Sequence, residues 1–206
     1  LVILACNTAS AKALRSIQIN DLPRLDPDRR VLGVIRPTVE ALGALTRTRH
    51  VGILATAGTI LSRSYELEIH KLYPDIVVSG QACPLWVPLV ENGEYDTPGA
   101  DYFVRKYVGQ LFLRDPRIDT LVLGCTHYPL LLPKIRLVLP ARTRVLAQGS
   151  YVADSLAGYL LRHPEIEARC SRGAQCDFLT TEEPDKFSGS ASLFLGQPVR
   201  ARHLRL

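Results

Sequence analysis

Cys6 and Cys125 are the residues of this chain best placed to do chemistry, because each ends a similar phrase. Leu1-Val2-Ile3-Leu4-Ala5-Cys6-Asn7-Thr8 is echoed by Leu121-Val122-Leu123-Gly124-Cys125-Thr126-His127. In both, an apolar run meets a small residue, then the cysteine, then polar residues that include a threonine. A thiol at a helix N-terminus feels the helix dipole, and its pKa can fall from about 8.5 into the range ~3.5–7.5. Such a thiol acts as a base near neutral pH. Two of them on equivalent strand ends suggest one site made from two halves, which can take a proton from one face of a carbon and deliver one to the other. A buried cysteine is often no more than a small hydrophobe, but both of these follow their strand instead of sitting within it.

The neighbours of the two thiols each have two readings. Asn7 and Thr8 either cap the next helix or hold a substrate carboxylate together with main-chain N–H groups, and Thr126 has the same pair of roles. His127, two positions after Cys125, is either a structural histidine or a group that tunes and relays a proton. Glu91, in Val87-Pro88-Leu89-Val90-Glu91, is either exposed or desolvated; desolvation would raise its pKa and suit it to acid–base work. In Thr56-Ala57-Gly58-Thr59 the glycine and the hydroxyls of Thr56 and Thr59 are suited to cradle an anion ahead of a helix. Cys83, before Pro84, reads as structural. Cys170 and Cys176 lack the spacing and the second ligand pair of a zinc site. Neither G-x-G-x-x-G nor G-x-x-x-x-G-K-[ST] occurs.

The elements that position these residues alternate. Leu1–Ala5, Val31–Ile35, Val51–Ala55, Ile76–Ser79, Asp119–Leu123, Val145–Ala147 and Asp177–Thr180 read as strands, the apolar ones as strands buried on both faces. Helices are expected from Thr8, from Pro37 to near Arg47, over Ile60–Leu72, Ala100–Leu113 and Leu130–Leu139, and around Ala153–Leu161. Asp21–Arg30, with Pro23 and Pro27, reads as a loop, and Cys83–Glu91 as a loop or short helix. This is an α/β pattern of βαβ units with parallel sheets, whose ligands bind at the carboxyl ends of strands. The distance between the two cysteine phrases, with several βα units between them, favours two pseudo-symmetric α/β domains with the active site between them. Residues 1–36 with 148–206 form the first and residues 37–147 the second, the chain crossing near Arg36-Pro37 and Gln148-Gly149.

Composition narrows the classes. A chain of 206 residues, 47% hydrophobic and 22% charged, is that of a globular protein. No apolar run approaches the roughly 18 residues that span a bilayer, and no signal peptide opens the chain, so no membrane role is expected. The formal charge of +5 owes much to Arg200, Arg202 and Arg205. With no basic stripe interleaved with aromatics, nucleic acid is not an expected partner. Five cysteines form an odd number, which fits free thiols in a reducing, cytoplasmic compartment.

Ala5-Cys6-Asn7-Thr8-Ala9-Ser10 and Leu123-Gly124-Cys125-Thr126-His127-Tyr128-Pro129-Leu130-Leu131 resemble the two signature motifs of the glutamate racemases, within the aspartate/glutamate racemase family. Val31-Leu32-Gly33-Val34-Ile35, Ala55-Thr56-Ala57-Gly58-Thr59 and the stretch from Ala82-Cys83-Pro84 to Pro88-Leu89-Val90-Glu91 match as well. The resemblance implies an isomerase that interconverts L- and D-glutamate without a cofactor, supplying D-glutamate for peptidoglycan, cell wall biogenesis and cell shape. It implies that Cys125 deprotonates the L enantiomer and Cys6 the D enantiomer, each thiol protonating the opposite face. Glu91 and His127 would assist Cys125, and Asn7, Thr8 and Thr126 would hold the substrate. Glutamate is the expected small-molecule partner, and a homodimer is an expected association. The family's Asp-Ser-Gly stretch on a first strand has no counterpart here: Asp154-Ser155 is followed by Leu156 on an expected helix. Together with a start at Leu1 and a complete lack of methionine, this suggests a missing N-terminal segment. The competing readings are a related aspartate or hydantoin racemase, and a non-catalytic protein that binds through the cleft.

Overall fold

A computed structural model describes residues 1–205, and contacts divide the chain into two units, Leu1–Glu167 and Ala168–Leu206. The first unit opens with strand β1 (Val2–Leu4), then α1 (Asn7–Lys12), α2 (Leu14–Ser16), a π-helical turn at Ile17–Asp21 and α3 (Leu22–Leu25). It continues through β2 (Val31–Gly33), α4 (Ile35–Leu45), β3 (His50–Ala55), α5 (Ala57–Leu61), α6 (Ser64–Leu72) and β4 (Val77–Ala82). After these come α7 (Trp86–Glu91), α8 (Pro98–Arg114), β5 (Thr120–Gly124), α9 (Leu132–Val138), β6 (Arg144–Ala147), α10 (Gln148–Arg162) and α11 (Pro164–Glu167).

All strand pairs are parallel. β1 pairs with β2, while β4, β3, β5 and β6 lie in that order in a four-stranded sheet. The central strands β3 and β5 are buried throughout, and apolar after His50 and Thr120, because helices cover both faces of that sheet. Alternation along β5 sends Leu121 and Leu123 to one face, with Trp86, Val104, Val108 and Leu111, and Val122 to the other, with Val39, Leu42 and Ile69. Trp86 is fully buried, with the Tyr128 ring edge-on at 4.7 Å between centroids.

Polar groups close the amino end of the sheet. Asp119, just before β5, accepts from the Thr46 hydroxyl and from the N–H groups of Arg47 and Thr48, each at 2.7 Å. Burial opposes its ionisation, but those bonds and one from Thr120 prevail and hold its pKa down at about 2. His50 meets Asp115 at 2.6 Å nearby, both buried.

The α/β class and the parallel sheets agree with the sequence reading, and four local expectations do not. Strand β1 is not buried on both faces: Leu1, Val2 and Ile3 are all exposed, because β2 is the sole strand paired with it among the described residues. Asp21–Arg30 is not wholly loop, since α3 accommodates Pro23 in its first turn, where a missing N–H costs nothing. The helix expected over Ile60–Leu72 is broken at Arg63, whose φ of 54° lies in the left-handed region between α5 and α6. Val34 and Ile35 leave β2 and enter α4. No helix among the described residues is long and apolar enough to cross a membrane.

The second unit is small. β7 (Phe178–Thr180) and β8 (Ala201–His203) pair in parallel, joined through α12 (Pro184–Leu195). Gly196 ends α12 with a φ of 65°, a left-handed C-cap that glycine adopts without steric cost.

Candidate active site

Register puts several polar residues on one edge. Ala55 pairs with Ala82 and with Gly124, and Leu123 with Ala147, so Thr56, Cys83, Cys125 and Gln148 stand at or just past the carboxyl ends of adjacent strands. Crevices of open α/β sheets form at this edge. Gly124 permits a close approach there: a Cβ on it would lie 3.1 Å from the Ala55 Cβ, 3.3 Å from the Leu54 carbonyl oxygen and 3.3 Å from Tyr65 Cε2. The backbone that presents Cys125 is thus packed tightly against β3 and α6.

Cys125 is buried, and its sulfur lies 3.7 Å from Nδ1 of His127. On the other side of that ring, Nε2 is 3.0 Å from Oε1 of Glu91, at the end of α7. Sulfur, imidazole and carboxylate therefore form a chain that leads outward to an exposed acid, the Glu91 side chain being 59% accessible. The desolvation considered for Glu91 is absent. Burial pushes the Cys125 thiol above its ordinary pKa, N–H groups of His127 and Thr126 oppose this, and negative charge on Cys6 and Glu91 adds to it. The lowered pKa expected of a helix N-terminus is not found at Cys125. A turn separates it from the short 3-10 helix Tyr128–Leu131, so Cys125 does not stand at that helix's N-terminus. Such a thiol rests protonated, and its thiolate, once formed, is the stronger base. Cys6 lies within electrostatic reach of it, since its charge is felt at Cys125.

Cys6 is exposed and is the N-cap residue of α1 without a side-chain capping bond. Neither Asn7 nor Thr8 caps that helix, and the structure gives both other partners. Thr8 Oγ1 is 2.9 Å from Thr56 Oγ1 and 3.1 Å from Thr59 Oγ1, and those two are 3.1 Å from one another. Thr56 also caps α5, accepting from the Thr59 N–H at 3.3 Å. Three hydroxyls, from the first turn of α1 and from the N-cap and first turn of α5, thus form a triangle that joins the segment after Cys6 to the end of β3. Thr126 is exposed beside Cys125, its hydroxyl 3.4 Å from His127 Nδ1. Asn7 is buried; its Oδ1 accepts from the Tyr65 hydroxyl at 2.7 Å, and its Nδ2 donates to Gln148 Oε1 at 2.6 Å.

Of the residues singled out from sequence, Cys125, His127, Glu91 and Thr126 come together, and Thr8, Thr56 and Thr59 form a second cluster. Tyr65 and Gln148 were missed. Gln148 could have been found by the strand-end rule that picked out Cys6 and Cys125, whereas Tyr65 looks like any buried aromatic of an amphipathic helix. Among the described residues, no three His, Cys, Asp or Glu side chains gather as a set able to hold a metal ion.

The sequence of residues 1–153 matches the family described as Asp/Glu/Hydantoin racemase. The glutamate racemase of Paracoccus denitrificans is 39% identical over 97% of this chain and 75% of its own length. That of Dinoroseobacter shibae is 39% identical over 98% and 75%. Among solved structures, glutamate racemase isoform RacE1 of Bacillus anthracis superposes with a TM-score of 0.85 at 31% identity, over 99% of this chain and 73% of that one. The Francisella tularensis glutamate racemase, solved in complex with D-glutamate, gives 0.80 at 28% identity, over 99% and 72%. With its two cysteine loops on the carboxyl ends of parallel strands, this chain belongs to the Asp/Glu/hydantoin racemase family and stands among its glutamate racemases, which are isomerases.

Proposed function

We propose that the chain interconverts L- and D-glutamate by proton transfer between two thiols, Cys6 and Cys125, on opposite faces of the substrate α-carbon. The observation that carries this reading is the Cys125–His127–Glu91 chain, with Cys6 near enough for its charge to be felt at Cys125. In the L-to-D direction His127 accepts the thiol proton of Cys125, with Glu91 stabilising the imidazolium. The Cys125 thiolate then takes the α-proton, and the Cys6 thiol protonates the carbanion from the other side. The reverse direction exchanges the roles of the sulfurs. Atoms balance: the substrate gives one proton to Cys125 and receives one from Cys6, and the proton held on His127 offsets the thiolate left at Cys6, to which a proton returns through solvent before the next turnover. The high pKa that burial imposes on Cys125 matches its thiolate to a weakly acidic C–H bond.

Thr8, Thr56 and Thr59 suit the binding of substrate oxygens through their hydroxyls, and Thr126 through its exposed position beside Cys125. Asn7 contributes the one Nδ2 hydrogen not given to Gln148. The two-domain division expected from the sequence belongs to the same reading, as do a role in supplying D-glutamate for peptidoglycan, a cytoplasmic location and a homodimer. The substrate assignment draws on the relatives' names and on the D-glutamate complex of the Francisella tularensis structure.

The test is α-proton exchange in heavy water. Incubation with L-glutamate should place deuterium at Cα of the D product, and D-glutamate should do the same in reverse. No exchange from either enantiomer would sink the reading. Exchange with aspartate or a hydantoin but not with glutamate would move the chain to another substrate within the family.

A further inference from the structure

The two cysteine loops belong to different sheets, and one buried residue touches both. Tyr65, in α6, is almost fully buried. Its hydroxyl donates to Oδ1 of Asn7, the residue after Cys6, at 2.7 Å. Its ring edge packs where a Cβ on Gly124, the residue before Cys125, would stand, at 3.3 Å.

Hydrogen-bond roles around Tyr65 can be assigned without conflict. Gln148 Nε2 donates one hydrogen to the Tyr65 oxygen at 2.6 Å and the other to Thr38 Oγ1 at 2.7 Å. Thr38 spends its own hydrogen on the Val34 carbonyl at 2.7 Å. Gln148 Oε1 accepts from Asn7 Nδ2 at 2.6 Å, so the Tyr65 hydrogen is left for Asn7 Oδ1. In this orientation every polar atom of the network has a partner and neither amide needs to be flipped, and Gln148 Nε2 also lies 3.1 Å from Asn7 Oδ1. Burial also holds the Tyr65 hydroxyl protonated, raising its pKa above the usual phenol range. Buried polar networks satisfied this completely are rigid.

We infer that Tyr65, oriented by Gln148, is a positioning residue that sets the spacing of the two cysteine-bearing strand ends. The inference rests on the two-thiol reading above. Transfer across one carbon needs both sulfurs at near-contact distance, and a misplacement of about 1 Å can cost on the order of 10²-fold in rate.

Tyr65→Phe tests this, because it keeps the ring against Gly124 and removes only the hydroxyl. The readouts are steady-state racemisation, thermal unfolding, and the yield of a Cys6–Cys125 bridge formed by a short dithiol cross-linker and mapped by mass spectrometry. The expected result is a fall in kcat of about tenfold or more with KM within about twofold, and a cross-linking yield reduced several-fold. Gln148→Leu should act in the same way. The double variant should be little worse than either single one, since both act through Asn7. Wild-type kcat in Tyr65→Phe, or a wild-type cross-linking yield, overturns the inference. So does a loss of kcat that merely tracks a loss of folded protein at the assay temperature. Cys6→Ser separates the two ideas: its full activity would remove the two-thiol reading, while the cross-linking yield of Tyr65→Phe still decides the brace.

Discussion

The two cysteine phrases are alike in sequence and unlike in setting. β5 lies between β3 and β6, every residue of it is buried, and the thiol that follows is buried too. β1 has three residues, β2 alone beside it among the described residues, exposed apolar side chains and an exposed thiol. A repeated motif therefore specifies the local turn that presents a sulfur but not the solvent around it. The electrostatic work differs accordingly. In the proposed mechanism Cys125 loses its proton to a relay, and His127 and Glu91 stand in line with its sulfur. Cys6 sits in the open, tied down through Asn7 and Thr8.

Four experiments would break or sharpen this contrast. The largest effect is expected at the sulfurs. Cys6→Ser and Cys125→Ser should each reduce racemisation by about 10²–10⁴-fold, because an alkoxide-forming group replaces a thiol base. Equal activity of either variant and wild type would show that the two loops are not two halves of one site.

Stability comes next. Leu123→Ala in β5 should cost about 2–5 kcal/mol by urea unfolding, as an unfilled core cavity does. In this 206-residue chain, where Ile3 is 38% accessible, Ile3→Ala in β1 should cost under about 1 kcal/mol. Equal costs would erase the distinction between the strands.

Acid should then act on the buried half. Asp119, at the foot of β5, has a pKa held at about 2, below its unfolded value near 3.9. Its contribution, on the order of 2 kcal/mol, is complete above the unfolded pKa and is lost as pH falls through about 2. Asp119→Asn should flatten the stability profile between about pH 5 and pH 2; an unaltered slope would remove Asp119 as its source. The smallest effect is kinetic. Iodoacetamide should modify exposed Cys6 about tenfold faster than Cys125 at neutral pH, and the Cys125 rate should rise only above the ordinary thiol range. Reversed order in a mass-mapped time course would contradict the burial that separates the two.

Much of this was legible in the residues. The central strands announce themselves as apolar runs, and the small residues Ala55 and Gly124 mark where each run ends. The strand-end cysteines, threonines, histidine and glutamate were found by type and position alone. What escaped was set by tertiary context. Nothing in Leu1-Val2-Ile3-Leu4 says which faces other elements will cover. The break at Arg63 needs a left-handed residue that arginine seldom supplies, so helical spacing across it misleads. Strand β8 and helix α12 lie in a tail whose pattern is too short and too polar to show periodicity. Tyr65 and Gln148 carry no motif, since their importance arises only when three other elements bring Thr38, Asn7 and Gly124 around them.

Trp86 is the single tryptophan of the chain, and its place has a practical consequence. It sits in the first turn of the helix that ends in Glu91, sealed beneath Tyr128, the residue that follows His127. Excitation at 295 nm therefore interrogates the packing under the His127–Glu91 pair and nothing in the C-terminal unit. A blue-shifted emission that reddens on denaturation would report that floor giving way, a native optical gauge requiring no added label.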